Sequence, residues 1–306
     1  MEKIIRIGTR ESQLAVWQAE TVQQMLAQYG FKSELVYIKS DGDIDLVTPL
    51  YEIGVQGVFT KTLDAALLSD KIDIAVHSMK DVPTQLAEGI VQAAVLERAS
   101  YKDIVVYKGD KSKFENKDSA LTIATSSIRR KAQWLNHYPN TKIENLRGNV
   151  NTRLQKVNDN NWDGAIFAAA GLERINLRPE NSFELNWMLP APAQGAIMIV
   201  CWKNNTEIKG KCFLLNDAAT ALCVKLERDF LRKLMGGCST PISALAEIKN
   251  DTVYFKGNIC SVNGDESISI EKSGSVKDAA DLGIKVAEEV LKQGADKLIQ
   301  ALQNAK

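Results

Sequence analysis

The chain reads as an α/β protein in which two α/β domains flank a cleft and a small C-terminal α+β domain follows. Three observations predict this. Short β-branched runs alternate with amphipathic stretches through most of the sequence, as sheets covered by helices require. The alternation restarts after Glu97, and beyond GGCSTP three strand-like runs come in succession before two helical stretches. At 306 residues the chain is also too long for one average domain of about 150.

IIRIG (4–8) reads as a strand, and 11–26 carries Leu14, Trp17, Val22, Met25 and Leu26 at helical spacing until Gly30 closes the helix. ELVYI (34–38), a helix over 58–69, IDIAV (72–76) and VQAAVL (91–96) continue a set that reads as parallel strands with helices between them. DIVVY (103–107), LTIAT (121–125), a helix over 127–137, KIENL (142–146), a helix near 151–158 and GAIFAAA (164–170) form a second set. LPAPAQG (189–195) is a Pro-rich crossing, after which AIMIVCW (196–202) is a buried strand able to return to the first sheet. A long helix over 217–234, the runs ALAEI, TVYFKGNIC and ESISIEK, and two further helices make the third unit. The expected domains are 1–97 with 195–213, then 98–194, then 214–306. Residues 40–58 hold glycines and a proline without periodicity, and read as a lid in preference to a disordered segment.

Composition bounds the function. Lys and Arg together number 38, as do Asp and Glu, so no global field draws the chain onto nucleic acid or an anionic membrane, and any anion site must be local. The start, MEKIIRIGTR, has an apolar run too short for a signal sequence, and no window approaches the ~18 apolar residues of a membrane span. Cys201, Cys212, Cys223, Cys238 and Cys260 lack CxxC spacing, which argues against a disulfide framework and a zinc knuckle. The expectation is a soluble cytoplasmic monomer with no metal and no nucleic-acid or membrane partner.

The residues that follow the strands concentrate the chemistry, because ligands of open α/β sheets bind beyond the carboxyl ends of strands. Arg10 and Ser12 follow the first strand, Lys80 and Asp81 follow IDIAV, and Ser126, Ser127, Arg129 and Arg130 follow LTIAT. Arg147 and Gly148 follow KIENL, and Arg174 comes after GAIFAAA. All five ends carry a cation. Arg129, Arg130 and Arg153 also fall in first helical turns, where each positive charge opposes the macrodipole at a cost of about 0.3–1 kcal/mol. An anion docked on the free N–H groups there, between serine hydroxyls and arginine forks, reverses that cost. Neither GxGxxG nor GxxxxGK[ST] occurs, so carboxylates are better candidates than phosphates.

Two further residues stand out. Asp81 is a lone acid beside Lys80, suited to hold a developing positive charge or move a proton, or else to cap the turn before Pro83. Cys238 lies between two glycines and Ser-Thr-Pro, where it reads as a reactive thiol or as a turn residue; the other four cysteines read as core fillers. His77 and His137 lack a context that supports a His-centred triad.

GTRESQLAVWQA, DIAVHSMKDVP, TSSIRR, LRGNVNTRL, AAAGLERI, LPAPAQGAI and GGCSTPI occur in this order, and with them the chain resembles the porphobilinogen deaminase (hydroxymethylbilane synthase) family over nearly its whole length. The resemblance implies two periplasmic-binding-protein-like α/β domains around a cleft plus a small α+β domain. It implies a transferase of tetrapyrrole (haem) biosynthesis that condenses four porphobilinogen units head to tail with loss of ammonia. The growing chain is built on a covalently bound dipyrromethane primer and then released by hydrolysis as hydroxymethylbilane. By the same motifs, Cys238 carries the dipyrromethane through a thioether and Asp81 is the catalytic carboxylate. Ser12, Lys80, Thr125, Ser126, Ser127, Arg129, Arg130, Arg147 and Gly148 are implied as cofactor contacts. Arg10, Arg147, Arg153, Arg174, Phe59 and Gln194 are implied as substrate contacts.

The lid departs from the family pattern, which carries GGKG where this chain has Gly54, Val55, Gln56 and Gly57, and often a lysine where Glu52 stands. Closure of the lid is then expected to depend on Phe59 and Lys61. Two rival readings are a non-catalytic polycarboxylate sensor of the two-domain type and a thiol acyl transferase using Cys238. The first has no use for a Gly-Gly-Cys loop in a third domain, and the second lacks a partnered histidine.

Overall fold

The computed structural model describes residues 3–39, 60–234 and 240–304. In β1 (Ile5–Thr9), Ile5 and Ile7 are fully buried against Ala19, Val22 and Leu26 of α1 (Gln13–Gln28), whose apolar residues recur every three or four positions. Next come β2 (Ser33–Tyr37), α2 (Lys61–Leu68), β3 (Ile74–Ser78) and β4 (Ile90–Val95). The second series is β5 (Asp103–Tyr107), β6 (Thr122–Ala124), α3 (Ile128–His137), β7 (Lys142–Glu144), α4 (Val150–Asp159), β8 (Gly164–Ala168), α5 (Ala169–Glu173) and β9 (Ser182–Glu184). β10 (Ile197–Trp202) and α6 (Thr206–Phe213) precede α7 (Ala218–Lys233). β11 (Ile242–Lys249), β12 (Thr252–Cys260), β13 (Ser267–Ser275), α8 (Leu282–Val290) and α9 (Asp296–Asn304) complete the chain.

Three sheets result, in the orders β2-β1-β3-β10-β4, β7-β6-β8-β5-β9 and β11-β12-β13. β10 does return to the first sheet. The expected parallel architecture needs correction, since both five-stranded sheets are mixed. β1 pairs in parallel with β2 and β3, and β6 with β7 and β8, whereas β10 is antiparallel to β3 and β4 and β5 is antiparallel to β8 and β9. A helical return from a neighbouring strand makes a parallel pair. β5 and β10 instead arrive from the opposite sheet along the two crossings, and so enter in the other direction. The strand expected at 72–76 lies at Ile74–Ser78, because Ser78 and His77 pair with Ile197 and Met198 of β10, a partner far away in sequence. β9 and α6 had no expected counterpart.

The third sheet is antiparallel throughout and packs its buried face on α7, with Phe230 and Phe255 rings 5.4 Å apart. α8 approaches α7 closely at Gly283, where a Cβ would sit 2.1 Å from the Leu226 carbonyl oxygen. This domain touches both others. Gln133 of α3 donates to Ser243 at 2.8 Å and Asn136 donates to the Gly264 carbonyl at 2.7 Å. Toward the crossings between the two α/β domains, the fully buried Glu227 accepts both outer nitrogens of Arg98, at 2.6 and 3.1 Å. Its oxygens also accept the Ala193 and Ala246 backbone N–H groups, at 2.6 and 2.8 Å. One carboxylate thereby joins both crossings and β11.

Removing that charge strands the Arg98 guanidinium in a site that leaves it 11% exposed. Glu227→Gln is expected to lower unfolding free energy by ~3–5 kcal/mol, read from the urea midpoint. Glu271→Gln, which breaks the exposed pair with Lys256, should cost less than about 1 kcal/mol.

Candidate active site

The carboxyl ends of β1, β3, β6, β7 and β8 open onto one cavity of about 330 Å³ between the first two sheets. Every described residue expected at the site lines it: Arg10, Ser12, Lys80, Asp81, Thr125, Ser126, Ser127, Arg129, Arg130, Arg147, Gly148, Arg153, Arg174 and Gln194. Thr240 and Ile242 reach it from the third domain. Phe59 and Cys238 lie outside the described residues, as do Glu52, Gln56 and the whole expected lid. Lys61 is the exposed first residue of α2.

Local geometry explains how each group is held. Ser127 caps α3 by accepting the Arg130 N–H at 3.4 Å, and Asn149 caps α4 by accepting the Thr152 N–H at 2.9 Å. Both helix N-termini border the cavity. Thr125 Oγ1 accepts the Ser127 N–H at 3.2 Å, and Ser126 Oγ donates to Asn145 while accepting the Leu146 N–H at 2.8 Å. Gly148 has φ +110°, and a Cβ there would lie 2.7 Å from Thr152 Cγ2, so the turn that presents Arg147 requires glycine. Its carbonyl accepts Arg153 Nε at 2.7 Å. Arg174 donates to the Gly195 carbonyl at 2.7 Å and lies over the Trp17 ring, 5.7 Å from its centroid.

Arg129 and Arg130 differ from the expectation of open forks. Both bind Asp103, the fully buried first residue of β5, with nitrogen–oxygen distances of 2.7 Å each. Arg129 also donates to the Leu189 carbonyl at 2.7 Å and Arg130 to the Ile166 carbonyl at 3.0 Å. Burial raises the Asp103 carboxyl, but the two guanidinium groups override it and hold the group well below the usual carboxylate range. The one hint in the sequence was an acid opening the otherwise apolar run DIVVY. Gln194 completes the cluster: its amide nitrogen donates to Asp103 at 3.0 Å and to the Tyr101 carbonyl at 2.8 Å, and its oxygen accepts Lys80 Nζ at 3.3 Å.

The electrostatics are one-sided. Among the described residues the cavity wall presents seven cationic side chains and one acid, Asp81, which is exposed at the end of the 3-10 turn Met79–Asp81. Burial pushes the Lys80 ammonium down to about 8, with Asp81 opposing the shift. Burial likewise lowers Arg153 and Arg174 to about 10. An anionic ligand with several carboxylates would reverse these shifts. The donor set therefore fits a dipyrrole bearing acetate and propionate groups. His77 does not line the cavity, and burial together with Arg10 pushes it down to about 4, so it is neutral at pH 7. Cys201, Cys212, Cys223 and Cys260 are free thiols buried in the core. One contact had no expected counterpart: Asn151 of α4 donates to Gln13 of α1 at 3.0 Å, from one α/β domain to the other. No helix among the described residues is long and apolar enough to cross a membrane.

Two family models match. The porphobilinogen deaminase dipyrromethane cofactor binding domain covers residues 5–210, and the porphobilinogen deaminase C-terminal domain covers residues 221–292. A porphobilinogen deaminase of Geotalea uraniireducens is 40% identical over 97% of this chain and 94% of its own. One of Chlorobium phaeobacteroides is 38% identical over 99% of each. Among solved structures, the periplasmic VFT2 domain of Bordetella pertussis BvgS matches 69% of this chain and 85% of its own at 14% identity, with a TM-score of 0.43. With both models in chain order and relatives matched nearly end to end, the chain belongs to the porphobilinogen deaminase family.

Proposed function

We propose that this chain condenses four porphobilinogen units head to tail, releases ammonia at each addition, and frees hydroxymethylbilane by hydrolysis. The observation that carries the reading is the cavity wall, which among the described residues sets seven cations around the single acid Asp81, at five strand ends. A sensor would share the cations, but the family to which the chain belongs does not favour that reading. The domain limits 1–97 with 195–213, 98–194 and 214–306 belong to this proposal, supported by the three sheets.

Roles follow from chemistry. Cys238 holds the dipyrromethane through a thioether, and Ser12, Lys80, Thr125, Ser126, Ser127, Arg129, Arg130, Arg147 and Gly148 surround it. When bound, that group supplies the acceptor pyrrole carbon and a fixed anchor for the lengthening product. Arg10, Arg147, Arg153, Arg174, Phe59 and Gln194 serve the incoming porphobilinogen, whose two carboxylates suit planar guanidinium forks. As the C–N bond of its aminomethyl group breaks and ammonia leaves, positive charge develops on the pyrrole. Asp81 offsets that charge and orients the pyrrole N–H. Asp103 holds Arg129 and Arg130 in place before any ligand arrives, so little reorganisation is needed on binding. We further infer a cytoplasmic monomer.

Three measurements test this reading. The intact mass of the purified chain should exceed the sequence mass by one dipyrromethane, and Cys238→Ala should remove the excess. An active wild type of unmodified mass would sink the mechanism. Asp81→Asn should lower kcat by ~10²–10⁴ while the extra mass stays in place. Lys80 gives the pH dependence. Its proton is lost as pH rises through about 8 in the ligand-free cavity, so affinity for a dipyrrole tetracarboxylate, measured on Cys238→Ala, should fall above that pH. Lys80→Arg should flatten the profile.

A further inference from the structure

Lys80 and Asp81 ride on a single 3-10 turn, Met79–Asp81, between β3 and Pro83. A turn this short has little hydrogen bonding of its own. The Val82 N–H bonds the Met79 carbonyl at 3.1 Å, and Pro83 has no N–H to offer. Its apolar side is anchored, since Met79 and Val82 pack in one cluster with Val224 of α7. Its Met79 N–H donates to the Ala196 carbonyl at 3.0 Å, and its carbonyls meet one guanidinium. Arg228 of α7 donates through Nη1 to the Val82 carbonyl at 2.9 Å and the Met79 carbonyl at 3.3 Å, and through Nη2 to the Pro83 carbonyl at 2.6 Å. A planar fork can serve three carbonyls at once, and an ammonium on a flexible stem cannot hold the same geometry.

The helix that delivers this fork is itself fixed. Glu227, the preceding residue, is the fully buried carboxylate that joins Arg98, Ala193 and Ala246. A cavity of about 370 Å³ lies beside the contact, lined by Met79, Thr84, Gln92 and Arg228 among others, so close packing does not replace the guanidinium there. We propose that Arg228 is a positioning residue, which sets the place of the Asp81 carboxylate by tying its turn to the third domain. It supports turnover without touching substrate. The proposal rests on the reading that Asp81 assists the chemistry.

The test compares Arg228→Met and Arg228→Lys with wild type, each rate divided by the fraction of chains carrying the cofactor mass. Arg228→Met should lower kcat by ~100-fold, the scale of a displaced catalytic group. KM for porphobilinogen should stay within about threefold, because no carboxylate contact is lost. Arg228→Lys should recover only part of the loss. Amide exchange across 79–84 should quicken by about tenfold or more in Arg228→Met, while β1 and α8 keep their protection. Unchanged exchange across 79–84 overturns the tie. Quicker exchange with wild-type kcat per loaded chain, or a KM rise with kcat intact, overturns the role in turnover. A wild type that releases no ammonia from porphobilinogen overturns the activity reading instead, and the exchange result then decides the tie by itself.

Discussion

The buried pair of Glu227 and Arg98 is the contact on which the arrangement of this molecule depends. A charge in a dry interior must be paired and hydrogen-bonded or it is prohibitively costly. Glu227 meets that condition only when three groups converge on it: the Arg98 guanidinium and the Ala193 and Ala246 N–H groups. Arg98 and Ala193 lie on the two crossings between the α/β domains, and Ala246 lies in the third. The relative placement of three sheets is thereby written into one set of hydrogen bonds.

That set continues into the cavity. Arg98 Nε donates to the Gln194 carbonyl at 2.8 Å, the Gln194 amide bonds Asp103, and Asp103 holds Arg129 and Arg130. Gln194 also accepts from Lys80. The junction that fixes the domains and the groups suited to receive carboxylates are thus one connected polar network. Such networks are rigid when every member is satisfied, and they make a binding surface that needs little rearrangement. Asp103 is a single acid facing two arginines, so it immobilises them without cancelling their combined charge. The remaining excess of cations on the cavity wall, with Lys80, Arg153 and Arg174 all lowered by burial, is a cost that a polycarboxylate relieves.

Much was legible in the linear chain because it depends on neighbours in sequence. The periodicities of 4–8, 11–26 and 217–234 announced β1, α1 and α7, since a strand or helix buries one face through its own spacing. Residues just past strands lie at a common edge in any open α/β sheet, so Arg10, Lys80, Asp81, Arg147 and Arg174 could be grouped before a structure existed. The seven ordered motifs carried the family. The direction of β5 and β10 was hidden, as it is set by which sheet each crossing enters. The end of β3 was hidden for the same reason, because its last two residues are strands' residues only by virtue of β10.

The sequence by itself determined the fold class, the family and the strand edge at which the cations gather, because each follows from local spacing, residue chemistry or ordered motifs. Only the tertiary structure decided which charges answer one another. Asp103 lies 26 residues from Arg129, and Glu227 lies 129 residues from Arg98. Nothing in local periodicity selects such partners. They are chosen by burial, which removes water from all of them together and leaves each ion no other counterion.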